Sequence, residues 1–179
     1  MTNASGSGQG TRATGHIFIS HASADDAFVK ELRQALEASD HLVWVDSRNL
    51  RGGSKLAREV EQAIQDAAKV IAVLSLNTVN SRWVRREIEK ALEVEKRRKP
   101  DGYSVVPLLL PGIEPAALEG WFDEEPVGVR VKTGPGGLAD AMPAILAALE
   151  KRLPTEQEAA AQPEAGRLDE LVLTLSGPK

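Results

Sequence analysis

The feature that most restricts how this chain folds is a repeated alternation of short apolar runs with helical stripes. HIFIS at 16–20, LVWV at 42–45, VIAVL at 70–74, VVPLLL at 105–110 and VGVRV at 127–131 are short, β-prone and bounded by polar loops. Between them, apolar residues recur at the spacing of one helical face. Phe28, Leu32, Ala35 and Leu36 form the first stripe, and Ser23, three before Asp26, gives it a capping-box-like start. Leu56, Val60, Ala63, Ile64 and Ala67 form the second. Val84, Ile88, Ala91 and Leu92 mark a third helix over about 82–96, and Met142, Ile145, Leu146 and Leu149 mark a last one after GPGG. Strands alternating with helices in this way call for parallel pairing with crossover helices, hence an α/β domain. Runs one and three are almost wholly apolar and suit central strands covered on both faces, while the polar mix of run five suits an edge. Pro107 removes a backbone donor from run four. The doubly wound order 2-1-3-4-5 satisfies these constraints and places a ligand crevice beyond the carboxyl ends of strands one and three.

With 179 residues, 42% of them hydrophobic, the chain is long enough for one well-buried domain at 16–153 plus flanking segments. Residues 1–15, rich in Gly, Ser and Thr, read as a flexible leader. Residues 154–167 have the composition of a linker, and 168–179 read as a lone strand and turn. That pattern is expected if the chain is truncated and a second, C-terminal domain starts there. The formal charge of −4 does not call for nucleic acid or an anionic membrane as partner. No stretch reaches the roughly 18 apolar residues of a membrane span. The absence of Cys excludes a disulfide framework and a thiol nucleophile and fits a cytoplasmic protein. His16, His21 and His41 are scattered, so they do not spell a metal site.

The stretch SLNTVNSRWVRRE, from Ser75 to Glu87, leaves the third strand, crosses the predicted crevice and enters the third helix. Trp83 and Glu87, four residues apart, share a helix face as an aromatic plate beside a carboxylate. Glu87 falls roughly 75° from the centre of the apolar stripe, on the border of core and solvent. In the plainer reading Glu87 is a solvated carboxylate paired with a neighbouring Arg and Trp83 is packing. In the functional reading the pair holds a flat cationic ring and a sugar. An ordinary glycoside needs two carboxyl groups, one of them to protonate the leaving oxygen. A nicotinamide riboside has a cationic leaving group that departs neutral, so a single carboxylate that stabilises the oxocarbenium-like charge suffices.

Other motifs carry less. RGGSK at 51–55 lacks the Gly-Lys-Ser/Thr ending of a Walker loop, because Ser54 separates Gly53 from Lys55. GPGGLA at 134–139 follows the last strand and reads as a turn leading into a helix. KRRK at 96–99 suits a helix C-terminus. A phospho-receiver would need an Asp at the end of strand three, where Ser75 stands. No G-x-S-x-G elbow is present, and adjacent Ser20 and His21 point opposite ways on an extended chain.

Four of these segments, FISHASAD at 18–25, WVDSRNLRGG at 44–53, EVEQAIQDAAKVIAVLSLN at 59–77 and SRWVRREIEKAL at 81–92, together resemble the TIR (Toll/interleukin-1 receptor) domain in order and spacing. The resemblance spans about 16–152 and is strongest to the bacterial branch, where the W-x-x-x-E pattern of Trp83 and Glu87 recurs. It implies the flavodoxin-like form of the order above, and for many members NAD⁺ hydrolysis at the nicotinamide-ribose bond, giving ADP-ribose or a cyclic isomer. Carried over by position, Glu87 is the catalytic carboxylate and Trp83 its aromatic companion. Phe18, Ser20, Ser23, Ser75 and Asn77 then line the substrate pocket. The 46–54 loop corresponds to the family's BB loop, with Asp46 and Arg48 facing substrate or a neighbouring copy. NAD⁺ enters as substrate, with no cofactor implied, and self-association through that loop is expected to activate an effector of bacterial defence or signalling. The family's other behaviour, a non-catalytic module that only binds other TIR copies, is the alternative.

Overall fold

The computed structural model describes residues 15–45, 54–123 and 128–150. Five parallel strands, β1 (Ile17–Ser20), β2 (Val43–Val45), β3 (Lys69–Leu74), β4 (Val105–Leu109) and β5 (Val129–Arg130), form one sheet in the order β2-β1-β3-β4-β5. Helices α1 (Asp26–Ala38), α2 (Ser54–Asp66) and α3 (Arg82–Arg98) make the crossovers after β1, β2 and β3, α4 (Gly137–Glu150) follows β5, and together they cover both faces. The expected flavodoxin-like α/β fold is therefore the observed one. Residues 1–14, 46–53, 124–127 and 151–179 lie outside the described residues, and with them the expected leader, linker and second domain.

Strand parity decides which helix each side chain meets. Ile17, Ile19, Ile71 and Val73 point to the side of α1 and α4, where Leu32, Leu36 and Ile145 close the core. Phe18 and Val70 point the other way, into a cluster with Val60 and Ile64 of α2 and Ala91 and Val94 of α3. Ser20 has the parity of Phe18, so the last residue of β1 faces α3. The near-complete burial of β1 and β3 follows from their two covered faces, while β2 at the edge is only half-buried.

The fifth strand is shorter than its sequence run, with only Val129 and Arg130 paired to β4 among the described residues. Pro107 stands in β4 opposite Gly128, just before β5 begins, where a strand tolerates a missing donor. A Cβ at Gly128 would collide with the Pro107 carbonyl, which explains the glycine. GPGG is the expected turn: Gly134 and Gly136 have φ of +99° and +92°. The start of α1 departs from expectation. It begins through a 3-10 turn at Ser23–Asp25 without a side-chain cap, because Asp25 reaches across to another loop and Asp26 meets His21.

The C-terminus of α2 is held by three side chains from the far end of the sheet. An α-helix leaves its last carbonyls without internal donors. Here His16 Nε2 lies 2.8 Å from the Ala63 oxygen, and the Tyr103 hydroxyl donates to the Ile64 oxygen at 3.0 Å. Arg98 Nη1 donates to the carbonyls of Gln65 and Ala67 at 2.5 and 3.0 Å, with its guanidinium over the Tyr103 ring. The basic run thus lies in the last turn of α3 as expected, while one of its members, Arg98, caps the neighbouring helix. Burial raises the Tyr103 pKa above the usual phenol value, so it stays a neutral donor. Tyr103→Phe is expected to lower unfolding free energy by about 1–3 kcal/mol, because it strands the Ile64 carbonyl, and urea denaturation measures the loss.

Candidate active site

Helix α3 starts at Ser81, whose hydroxyl accepts the Val84 amide at 3.3 Å. That cap sets Trp83 in the first turn and Glu87 one turn later. Val84, Ile88 and Ala91 face the sheet and are fully buried. Trp83, Glu87, Lys90 and Val94, at spacings of four, three and four, form a second stripe turned toward α2.

Glu87 is only 4% exposed, well inside the border position its helical angle suggests. The reason is that α3 packs against two neighbours, the sheet and α2, so a residue on the flank of one contact lies inside the other. The Glu87 carboxylate accepts a hydrogen bond from the Ser20 hydroxyl through Oε2. Strand parity makes that meeting possible, since Ser20 and Glu87 are 67 residues apart in sequence. A buried carboxylate needs such a donor, and a charge-assisted bond is the stronger kind.

Beside this pair, a cavity of about 260 Å³ opens between α2 and α3. Ala57, Val60 and Ile64 of α2 form its apolar side, and Trp83 and Glu87 stand opposite. Glu61, Arg86 and Lys90 complete the lining. Lys90 Nζ lies 3.1 Å from Glu61 and 3.4 Å from Glu93, and the Glu61 carboxylate raises its pKa above the usual lysine value. The cavity therefore combines a buried carboxylate, an aromatic plate and a bridge between two helices.

A second polar cluster sits where the loops after β1 and β3 meet. Asp25, 8% exposed, accepts the Ser75 hydroxyl at 2.5 Å through one oxygen and the Asn77 side-chain amide at 3.0 Å through the other. Ser75 Oγ in turn accepts the Asn77 backbone amide at 3.1 Å, and the Thr78 hydroxyl donates to the Val73 carbonyl at 3.0 Å. Asp25 was not among the residues singled out by sequence. Its signal was available only jointly: once strands one and three are neighbours, an acid in the first loop faces S-x-N in the second.

The expected site residues thus divide. Glu87 and Trp83 line the cavity, and Ser20 holds Glu87 from beneath. Phe18 is fully buried and stacks on Trp44 with centroids 5.1 Å apart, so its ring backs the site. Ser75 and Asn77 lie in the crevice but hold Asp25, and Ser23 is exposed in the 3-10 turn. Asp46 and Arg48 lie outside the described residues. Ser20 and His21 diverge as expected, the one to Glu87 and the other, at 2.7 Å, to Asp26.

Sheet order, crossovers and a buried carboxylate reached from the end of β1 define a doubly wound α/β protein with its candidate site beside the topological switch point. More particularly, a TIR domain family model matches residues 17–129, and the chain belongs to that family. A comparison with curated proteins finds no significant match. Among solved structures, the chain is similar to a metazoan TIR-STING receptor from C. gigas, with 22% identity and a TM-score of 0.59 over 78% of this chain and 40% of the receptor's. It thus spans less than half of that receptor. The TIR domain of the Toll-related receptor TRR-2 from Hydra magnipapillata is 16% identical, with a TM-score of 0.57 over 77% of this chain and all of that domain (100%). The CMP N-glycosidase BcmB of Clostridium botulinum is 16% identical, with a TM-score of 0.52 over 74% of this chain and 98% of that one. At these identities the likeness is one of fold. Among the described residues, no helix is long and apolar enough to cross a membrane.

Proposed function

We propose that this protein is an N-glycoside hydrolase that cleaves the nicotinamide-ribose bond of NAD⁺, with Glu87 as the catalytic carboxylate. The observation that carries the reading is the buried Glu87, held by Ser20 and lining a cavity beside Trp83. The C1′–N bond breaks with its electron pair going to the ring nitrogen, so nicotinamide leaves neutral without being protonated. Positive charge develops on C1′ and the ring oxygen, and Glu87 stabilises it in a site where burial strengthens electrostatic attraction. Water then adds to C1′ and releases one proton, giving ADP-ribose; attack by an adenine nitrogen gives a cyclic isomer instead. Trp83 orients the cationic ring. That one structure of this fold is a CMP N-glycosidase supports N-riboside chemistry in such a site.

The described cavity, about 260 Å³, falls below the range of ligand pockets, which run from roughly 300 Å³ upward. Self-association through the 46–54 loop would add further walls and couple activity to clustering, as suits a cytoplasmic effector. Nicotinamide release by concentrated protein tests the reading. Equal release by wild type and Glu87→Ala would remove Glu87 from its role, and none by either, even when clustered, would favour a TIR-TIR interaction module. Ser20→Ala, which leaves Glu87 in place but frees it to turn, is expected to lower kcat about 10- to 100-fold with little change in KM.

A further inference from the structure

The cavity lining is charge-separated in depth. Glu87 lies deep at 4% exposure, while Arg86 is exposed and the side chains of Lys90 and Glu61 are 24% and 52% exposed. Arg86 and Lys90 are one helical turn apart on α3, so both cations border the outer part of the same cavity. A carboxylate and aromatic plate within, and two cations against the single Glu61 carboxylate without, complement a ligand with positive charge at one end and negative charge at the other. A ribosylated cationic base with a 5′-phosphate has that distribution, its anion one ribose ring away from C1′. A free nucleoside lacks the outer half.

We propose that Arg86 and Lys90 form a phosphate subsite that makes this cavity prefer N-ribosides bearing a 5′-phosphate, alone or within a pyrophosphate, over free nucleosides. The preference rests on the N-glycoside reading of Glu87; phosphate binding itself does not. Arg86 supplies a planar fork suited to phosphate oxygens, and among the described residues no ion pair holds it. Lys90 supplies a point charge now bridged to Glu61 across the two helices. Phosphate binding therefore exchanges partners, and Glu61, at 3.1 Å the nearer of the two carboxylates on Lys90, competes with the ligand more than Glu93 at 3.4 Å.

That competition makes possible a variant expected to gain affinity, which a folding defect cannot mimic. Ribose 5-phosphate and ribose are titrated into ¹⁵N-labelled full-length protein. Ribose 5-phosphate is expected to shift resonances around Arg86 and Lys90, and ribose is not. Glu61→Gln is expected to tighten ribose 5-phosphate several-fold, and the Arg86→Ala, Lys90→Ala double variant to weaken it about tenfold or more. Unchanged affinity in both variants, equal shifts with ribose, or no binding to wild type overturns the subsite. In turnover, the double variant should raise KM for nicotinamide mononucleotide about tenfold more than for nicotinamide riboside; equal losses on both overturn the preference. Intact ribose 5-phosphate binding without nicotinamide release from either would retire the glycohydrolase reading and uphold the subsite.

Discussion

Glu87→Gln is expected to reduce nicotinamide release from NAD⁺ by at least about 10²- to 10³-fold, through kcat rather than KM. The amide is nearly isosteric, and its oxygen can still accept the Ser20 hydroxyl, so the side chain keeps its place in the cavity wall. What disappears is the negative charge available to the forming oxocarbenium ion. Because the carboxylate is buried, its replacement by a neutral group removes a desolvation cost, and the variant should unfold no more easily than wild type. The two readouts belong together. Loss of release with unchanged urea midpoint assigns a chemical role to Glu87. Loss of both assigns it to the fold, and retention of release removes the carboxylate from the reaction.

Asp25→Ala carries the largest expected effect on stability, about 3 kcal/mol, read as a lower urea midpoint at unchanged slope. Each carboxylate oxygen accepts one side chain from the loop after β3, and hydrogen bonds to a charged acceptor are worth more than neutral ones. Without it the buried Ser75 hydroxyl loses its strongest acceptor and the loops after β1 and β3 lose their tie. Asp25→Asn, which keeps one acceptor oxygen, is expected to lose less. A change below about 0.5 kcal/mol for Asp25→Ala would mean that water replaces the carboxylate at no cost. Ser75→Ala and Asn77→Ala extend the test: partners of Asp25 lower stability when removed, whereas groups that touch substrate raise KM.

Much of the architecture was legible because it is written in local periodicity. Apolar runs alternating with helical stripes specified the strands and helices, and the composition of runs one, three and five separated central strands from an edge. Trp83 and Glu87 were legible together because four-residue spacing on a helix leaves little freedom. The depth of Glu87 was not, since a single helical wheel assumes one buried face and α3 has two. The stripe at 83, 87, 90 and 94 was visible in the letters but mixes Trp, Glu, Lys and Val, so hydrophobicity alone does not register it.

By itself, then, the sequence determined the class of fold and the shared helix face of Trp83 and Glu87, because both follow from spacings of two to four residues, and the composition of whole runs gave the strand order. Only the tertiary structure decided which hydroxyl holds Glu87, which acid ties the crevice loops, and which side chains cap α2. Ser20 and Glu87 lie 67 residues apart, Asp25 and Ser75 50, and Tyr103 and Ile64 39. Pairings at such range leave no periodic trace, because they depend on which strand ends the sheet brings side by side and on which face each residue emerges.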